Sequence, residues 1–484
     1  MADNWLGPDT CGVKLVQFEQ MAQDMTRAVS QLEDLADQLW QALNGAKVDT
    51  APAMEIKRLA TWAHEAATDL RRRNTLAHDL DRQKLAIEVC RLDGTYLTLP
   101  DRYTDQVAYG EGSRLAGLVR RAAAGDRKAL ADLRRYDPKD VTPALAKALV
   151  RTLGADGLLR LPVDLGRRLT VDVHQEGGDA VARDTRNVLA ILGRSLALTT
   201  DPGRSGYVGD AFFTQIMAAG RTTFPPGTEP PRGAAGYQSL STLMTAAGNA
   251  RFSARFMGTV GADMVDYDRH LPKNLGPLPE LSGHYDLGNA LDPSTTKVTV
   301  GDRGTDFLLP LLHAAAASGR EGAQALLSHA PMGPHPAKTP ASGRNSNLAY
   351  LLSSRRELWA KTDHGAALGA TLKTAASGTD KDSERLAFEA ARILATDARK
   401  YWVIKEGKLS AVDESGGGNL LKGTFSLSNP KEAMAAYSRV SNPIQDIDAI
   451  SALRPYMAEV LATHMAKVND VFEQARSAGP EAYR

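Results

Sequence analysis

Long apolar runs are missing from this 484-residue sequence. Even LLPLLHAAAA falls short of the roughly 18 uninterrupted apolar residues that a membrane span requires. The opening residues, MADNWLGPDTCG, hold neither a basic segment nor an apolar one, so no cleavable signal peptide is expected. The expected location is the cytoplasm, with export by a route that reads some other feature as the alternative. An excess of charge of either sign is missing too. The 58 basic and 57 acidic residues nearly cancel, which argues against a generalised binder of nucleic acid or membrane surfaces. Aromatics make up only 6% while Ala, Leu and Arg abound, and that balance favours helices over sheets.

Cysteine is nearly absent. Two cysteines and ten scattered histidines leave no basis for a structural zinc site. Cys11 and Cys90 bracket a predicted helical hairpin whose ends meet, so a disulfide is geometrically open to them; the alternative is a pair of thiols in a reducing compartment. Catalytic signatures are missing as well: there is no G-x-S-x-G, H-E-x-x-H, C-x-x-C or deaminase-type H-x-E with P-C-x-x-C. SGGGNLLKGT departs from a phosphate-binding loop in its glycine spacing and in having Lys-Gly where Gly-Lys is needed, so it reads as a loop. No catalytic residue, metal site or cofactor is expected.

What is present is helical periodicity. Hydrophobic residues at 43% are enough to fold most of the chain, and its length implies two to four domains. From Leu15 to Leu39 and from Ile56 to Leu80, apolar residues recur every three or four positions, which makes one apolar stripe on each of two long helices. Gly45 is expected to close the first helix in a left-handed conformation, and Pro52 to open the second. The expected seam comprises Leu32, Leu35, Leu39, Leu59, Ala63 and Leu70, with Trp40 and Trp62 near the closed end. The first arm is mostly acidic and the second mostly basic, which favours the antiparallel register.

The expected fold is mainly α. A hairpin module spans 1–90, a polar linker 91–112 and a helical scaffold domain 113–400. A small β-hairpin around Glu406-Gly407 with a Gly-rich loop spans 401–430, and C-terminal helices packing on the scaffold span 431–484.

Three polar clusters carry competing readings. Asp363-His364 offers an acid/base pair, but Asp363 also suits the N-cap of the following helix. Asp266, Asp268 and His270 alternate as metal ligands do on a strand, yet on a helix those spacings do not share one face. Arg71-Arg72-Arg73 could meet nucleic acid, but no aromatics are interleaved and the neighbouring arm is acidic, so a solvated face is the competing reading. A hydrolase-type site near Asp266, His270, Asp363 and His364 is thus the first alternative function, and a nucleic-acid-binding regulator using Arg71–Arg73 the second.

The hairpin, with Trp40 and Gly45 at its bend, resembles the WXG/ESX-type substrates of type VII secretion systems; the spacing is W-x4-G where the family has W-x-G. Tyr136 and Asp140 match the family's Y-x3-D/E export signal, with Pro138 between them. LGADGLLRLP, FSARFMGTVGADMVDYDRH, the tract from Leu348 through DHGAALGATL, and ALRPYMAEVLATHMAKVNDVF are similar to an uncharacterised helical region of actinobacterial proteins near such loci and of toxin carriers. Nothing domain-sized follows Phe472, so no toxin domain is expected in this sequence. The resemblance implies a non-enzymatic, secretion-associated substrate or structural protein. Its implied partner is a protein packing helix on helix, a small WXG-like protein or a second copy.

Overall fold

The chain is mainly α, as its composition predicts. The computed structural model describes residues 12–46, 51–82, 96–98, 101–172, 178–224, 234–270, 306–330, 346–360, 362–405, 408–411, 425–426, 450–467 and 469–470. Cys11, Cys90 and the SGGGN stretch lie outside the described residues. The chain divides into two units, the first made of residues 1–154, 190–199 and 203–208, the second of residues 155–189, 200–202 and 209–484.

The first unit begins with helices α1 (Leu15–Gly45) and α2 (Ala51–Arg82), packed antiparallel. Leu15, Phe18, Ala22, Met25, Val29, Leu32, Ala36, Leu39 and Leu43 follow one another in alternating steps of three and four. Ala53, Ile56, Ala60, Ala63, Ala67, Leu70, Asn74 and Ala77 do the same in α2. This is the seven-residue repeat of a coiled coil, in which each helix keeps one narrow edge toward the other. The most buried positions are small: Ala22, Val29 and Ala36 on α1, and Ala53, Ala60, Ala63, Ala67 and Ala77 on α2. Val29 packs on Ala63 and Ala67, with Met25 and Leu32 alongside. Gly45 stays within the helix instead of reversing it, and Ala46 follows in right-handed conformation, its N–H donating to the Ala42 carbonyl. Strands β1 (Gly12–Lys14) and β2 (Tyr96–Thr98) pair antiparallel and tie the chain entering α1 to the chain that follows α2.

The stretch expected as a polar linker up to Gly112 is largely helix: α3 runs Asp101–Ala123. Its polar letters hide a one-sided stripe, since Ala108, Leu115, Val119 and Ala122 are buried at helical spacing. Helix α4 (Arg127–Asp132) is capped by Asp126, whose carboxylate accepts from the Ala129 N–H at 2.9 Å. Helix α5 (Pro143–Asp172) crosses α3 so closely that a Cβ on Gly112 would lie 2.5 Å from the Leu145 carbonyl oxygen and 2.7 Å from Ala148 Cβ. Gly112→Ala is therefore expected to destabilise the first unit by about 1–3 kcal/mol, read as a lower denaturant midpoint. Within α5, Gly154 adopts φ 71°, ψ 169° and breaks the helix, and Arg120 donates to the orphaned Thr152 carbonyl at 2.5 Å. The division between units falls here and, in α6 (Gly178–Leu198), after Leu189.

The second unit is a helical assembly. It contains α7 (Asp210–Gly220), the short pair β3 (Thr223–Phe224) and β4 (Ala234–Ala235), α8 (Gly236–Ala246) and α9 (residues 254–270). Then come α10 (Leu308–Ala317), α11 (Arg320–Ser328), α12 (residues 347–359), α13 (Ala366–Ala376) and α14 (Lys381–Tyr401). Strands β5 (Trp402–Lys405) and β6 (Lys408–Ala411) form the expected β-hairpin, with Lys405 opposite Lys408; β7 (Phe425–Ser426) adds a third strand, and α15 (Arg454–Thr463) packs on α13.

Two helices share a construction. In α9, Ser253 caps the start by accepting from the Phe256 N–H, and a π turn follows at Met257–Gly261. In α12, Ser346 accepts from the Ala349 N–H, and a π turn follows at Tyr350–Ser354. Each π turn inserts a residue and so rotates everything after it on the helix surface.

Asp380 caps α14, accepting from the Ser383 N–H at 2.9 Å. Burial alone would raise its carboxyl, but hydrogen bonds from Ser383 and Gln324 outweigh that and hold it at about 2. A depressed carboxyl stabilises the fold above the ordinary aspartate range and loses that contribution as pH falls from about 4 toward 2. Asp380→Ala is expected to cost about 1 kcal/mol at neutral pH and to flatten the acid limb of stability against pH. Among the described residues no helix is long and apolar enough to cross a membrane.

Candidate functional site

Lettering the heptads of the hairpin so that its core residues are a and d separates its two flanks. On the e side, Glu19 faces His78 at 3.9 Å and Asp37 pairs with Lys57 at 3.4 Å, so this flank is lined by polar and charged side chains. The same register puts the g rows side by side on the opposite flank: Met21, Ala28, Leu35 and Ala42 on α1 against Arg73, Ala66, Leu59 and Pro52 on α2. Apart from Arg73 this row is apolar or small. Among the described residues this row stays open to solvent: Leu35 and Leu59 are each 50% exposed and Met21 46%.

The alanine seam explains why. Small residues at the core let the helices meet along a narrow edge, so leucines one position off that edge are left outside. Ala63 lies in the seam, and Leu32, Leu39 and Leu70 are partly buried beside it. Leu35 and Leu59, expected within the seam, stand on its open flank. Trp62 (56% exposed) borders the same flank, whereas Trp40 (44%) lies on the charged one. The two indoles share an end of the hairpin but not a side.

At the base of the apolar flank, α2 meets α3, the start of α5 and residues 203–208. Arg72 donates to the Glu111 carboxylate and to the Thr142 hydroxyl, each at 2.7 Å. Glu65 accepts from Arg204 at 2.6 Å and lies 3.8 Å from Arg194. Between them is a cavity of about 220 Å³ lined by Trp62, Ala66, Asp69, Arg73, Ala108 and Pro143 among others. Arg73 pairs with Asp69 at 2.7 Å, and Arg71 lies 3.5 Å from Asp140. The arginine run is thus drawn into three separate intramolecular pairs and not gathered into one basic patch. Asp140 ends a 3₁₀ turn, Pro138–Asp140, with Tyr136 just before it under the Arg135 guanidinium, so both residues of the Y-x3-D match sit on a turn held beside α2.

The second unit holds a polar cluster that sequence reading found only in part. Asp266 points to Arg221 (3.0 Å) while Asp268 points to Arg355 (2.7 Å), so the two carboxylates leave α9 in different directions. Arg221 also binds Asp263 at 2.6 Å, and Tyr237 donates to Asp263. The Asp263 hydrogen bond leads in raising the Arg221 guanidinium above its usual range; burial, then Asp263, pushes the Tyr237 hydroxyl up. His270 lies beside Asp266, its ring Nδ1 2.7 Å from the Asp266 carbonyl oxygen.

Arg355 is buried, bridging Asp268 and Asp306 and stacked 4.3 Å from the Trp359 ring. Burial pulls this guanidinium down, but Asp306 and Asp268 outweigh it and keep it protonated. Tyr350, raised by burial and then by Asp268, donates to Asp268 at 2.7 Å. Asp363 is a cap: its oxygens accept from Gly365 N–H (2.9 Å) and Ala367 N–H (2.6 Å) at the start of α13, and His364 beside it is exposed with φ 53°. These carboxylates are committed to guanidiniums, hydroxyls or helix ends. Chemically, the cluster is suited to fastening helices together. Among the described residues no group of three or more His, Cys, Asp or Glu is arranged to hold a metal ion.

By fold, then, this is a mainly α chain with a coiled helical hairpin of which one flank is open among the described residues. No protein-family model, curated protein or solved structure matches it.

Proposed function

We propose that the protein is a non-enzymatic interaction component, associated with secretion, that takes a helical protein partner along the apolar flank of its hairpin. The observation that carries this reading is the uncovered row at Met21, Leu35 and Leu59, beside a seam already filled by alanine. Apolar rows left open on one side of a formed hairpin are what a further helix or helix pair would bury. The secretion-associated part, including export without a cleavable signal, is supported by the W-x4-G bend and the Tyr136/Asp140 pattern.

The test is affinity recovery from the native host with the full-length chain. A partner recovered by the parent protein and lost in Leu35→Asp/Leu59→Asp assigns recognition to the flank. A partner set unchanged by the double substitution removes the proposal.

A further inference from the structure

The shared construction of α9 and α12 extends to the two helices that follow each of them. Ser253 and Ser346 each cap a helix, and each π turn opens four residues later, at Met257 and at Tyr350. π turns hold well under about 1% of residues in globular proteins, so two at one distance from a capping serine are not a chance pairing. The second helix of each set also ends alike. Ala316-Ala317-Ser318-Gly319 closes α10 and Ala375-Ala376-Ser377-Gly378 closes α13. In both, the serine N–H donates to the carbonyl four residues back, Ser318 to Ala314 at 2.9 Å and Ser377 to Lys373 at 3.0 Å. The third helices, α11 and α14, each pack on the π turn of their own set. Only the connection from first to second helix differs, residues 271–307 in one set and 360–365 in the other, and insertions into repeats fall in such connections.

The sets stand in a row, all within the second unit. Helix α8 packs on α10, α10 on α13 and α13 on α15, so α15 takes on α13 the place that α13 takes on α10. A Cβ on Gly369 of α13 would collide with the Tyr456 ring of α15. Lys373 pairs with Glu459, and the His464 ring Nε2 lies 2.6 Å from the Ala376 carbonyl oxygen, one of those that end α13 without a helical partner. Met457 and Val460 are buried on the inner side of α15, while Arg454, Glu459, Thr463 and Lys467 are exposed. An inner apolar edge with a polar outer face is what the terminal member of a repeat array carries.

We infer that α9–α11 and α12–α14 are two copies of one three-helix repeat, and that α15 is the cap that closes the end of their row against a second copy of the chain. With α15 lifted, α13 ends the row on a face already shaped to receive a helix, with Gly369 leaving room for an incoming ring. Two chains bared in this way meet with the same surface on each side, the geometry of a two-fold contact. The cap and the repeats also set how strain spreads. In an array each member senses its neighbours directly and distant members only through them, so loosening one end is felt less at each step along the row.

The experiment is amide hydrogen exchange and sedimentation on the full-length protein carrying Val460→Asp, which buries a carboxylate under α15 and should release it. Exchange in α15 and α13 is expected to quicken by more than about tenfold, with a smaller rise in α10 and a smaller one still in α8. Tyr456→Ala, which removes the ring over Gly369 without adding charge, should give the same gradient at lower amplitude. Both variants should associate more strongly with rising concentration than the parent does. An equal rise in all four helices, in both variants, means one cooperative core and overturns the repeat. Unchanged exchange in α13, or a released α15 with no gain in self-association, overturns the cap.

Discussion

A protein carrying Leu35→Asp and Leu59→Asp is expected to keep its helix content and melting temperature while losing its partner. Both side chains are half exposed on the g flank, outside the seam that Val29 makes with Ala63 and Ala67. Removing them from the free protein should therefore cost less than about 1 kcal/mol, as surface changes do. In the complex the same leucines lie at the centre of the buried face, where two desolvated carboxylates facing each other should cost more than about 4 kcal/mol of binding, a loss of at least a thousandfold.

Val29→Asp makes the opposite pattern. It buries an unpaired carboxylate between two alanines and should unfold the hairpin before any question of binding arises, visible as lost ellipticity and a lowered midpoint. If Leu35→Asp/Leu59→Asp melts the hairpin as Val29→Asp does, the leucines belong to the seam after all and the flank is not a free surface.

The contrast between these variants marks how far the sequence could be read. The two stripes, their antiparallel pairing and the charge difference between the arms are local periodicities, and they survive in the structure. Which residues in a stripe are innermost is a separate matter. Leucine is the more hydrophobic residue, so Leu35 and Leu59 looked central; the strict steps of three and four assign the centre to alanine instead. Counting those steps, and not ranking residues by size, would have found the g row.

The polar tract before Gly112 misled in another way, since helix α3 there buries small residues, Ala108 and Gly112, on its inner face. The helical character of the second unit was legible from composition, poor in aromatics and rich in Ala and Leu. Its fasteners were not: Arg355 reaches Asp306 across 49 residues and Asp268 across 87, and Tyr237 reaches Asp263 across 26, separations over which one sequence carries no pairing signal.

Arg355 is where the largest loss of stability is expected. Its guanidinium joins three segments directly: the end of α9 through Asp268, the entry to α10 through Asp306, and its own helix α12 through the Trp359 ring. The π turn at Tyr350–Ser354, immediately before it, rotates its side chain into the core. Replacing Arg355 by Met preserves much of the stem but strands two carboxylates in a dry interior, which should cost about 3–5 kcal/mol. Relaxation and water entry should expose the Trp359 indole, now 0% accessible, and shift its emission to the red.

The charge origin of that loss has its own signature. Arg355→Met combined with Asp268→Asn and Asp306→Asn should recover a large part of the stability at neutral pH, because the triple variant leaves no uncompensated charge. A triple variant no more stable than Arg355→Met would mean that the guanidinium acts through its packing on Trp359 and not through the two aspartates.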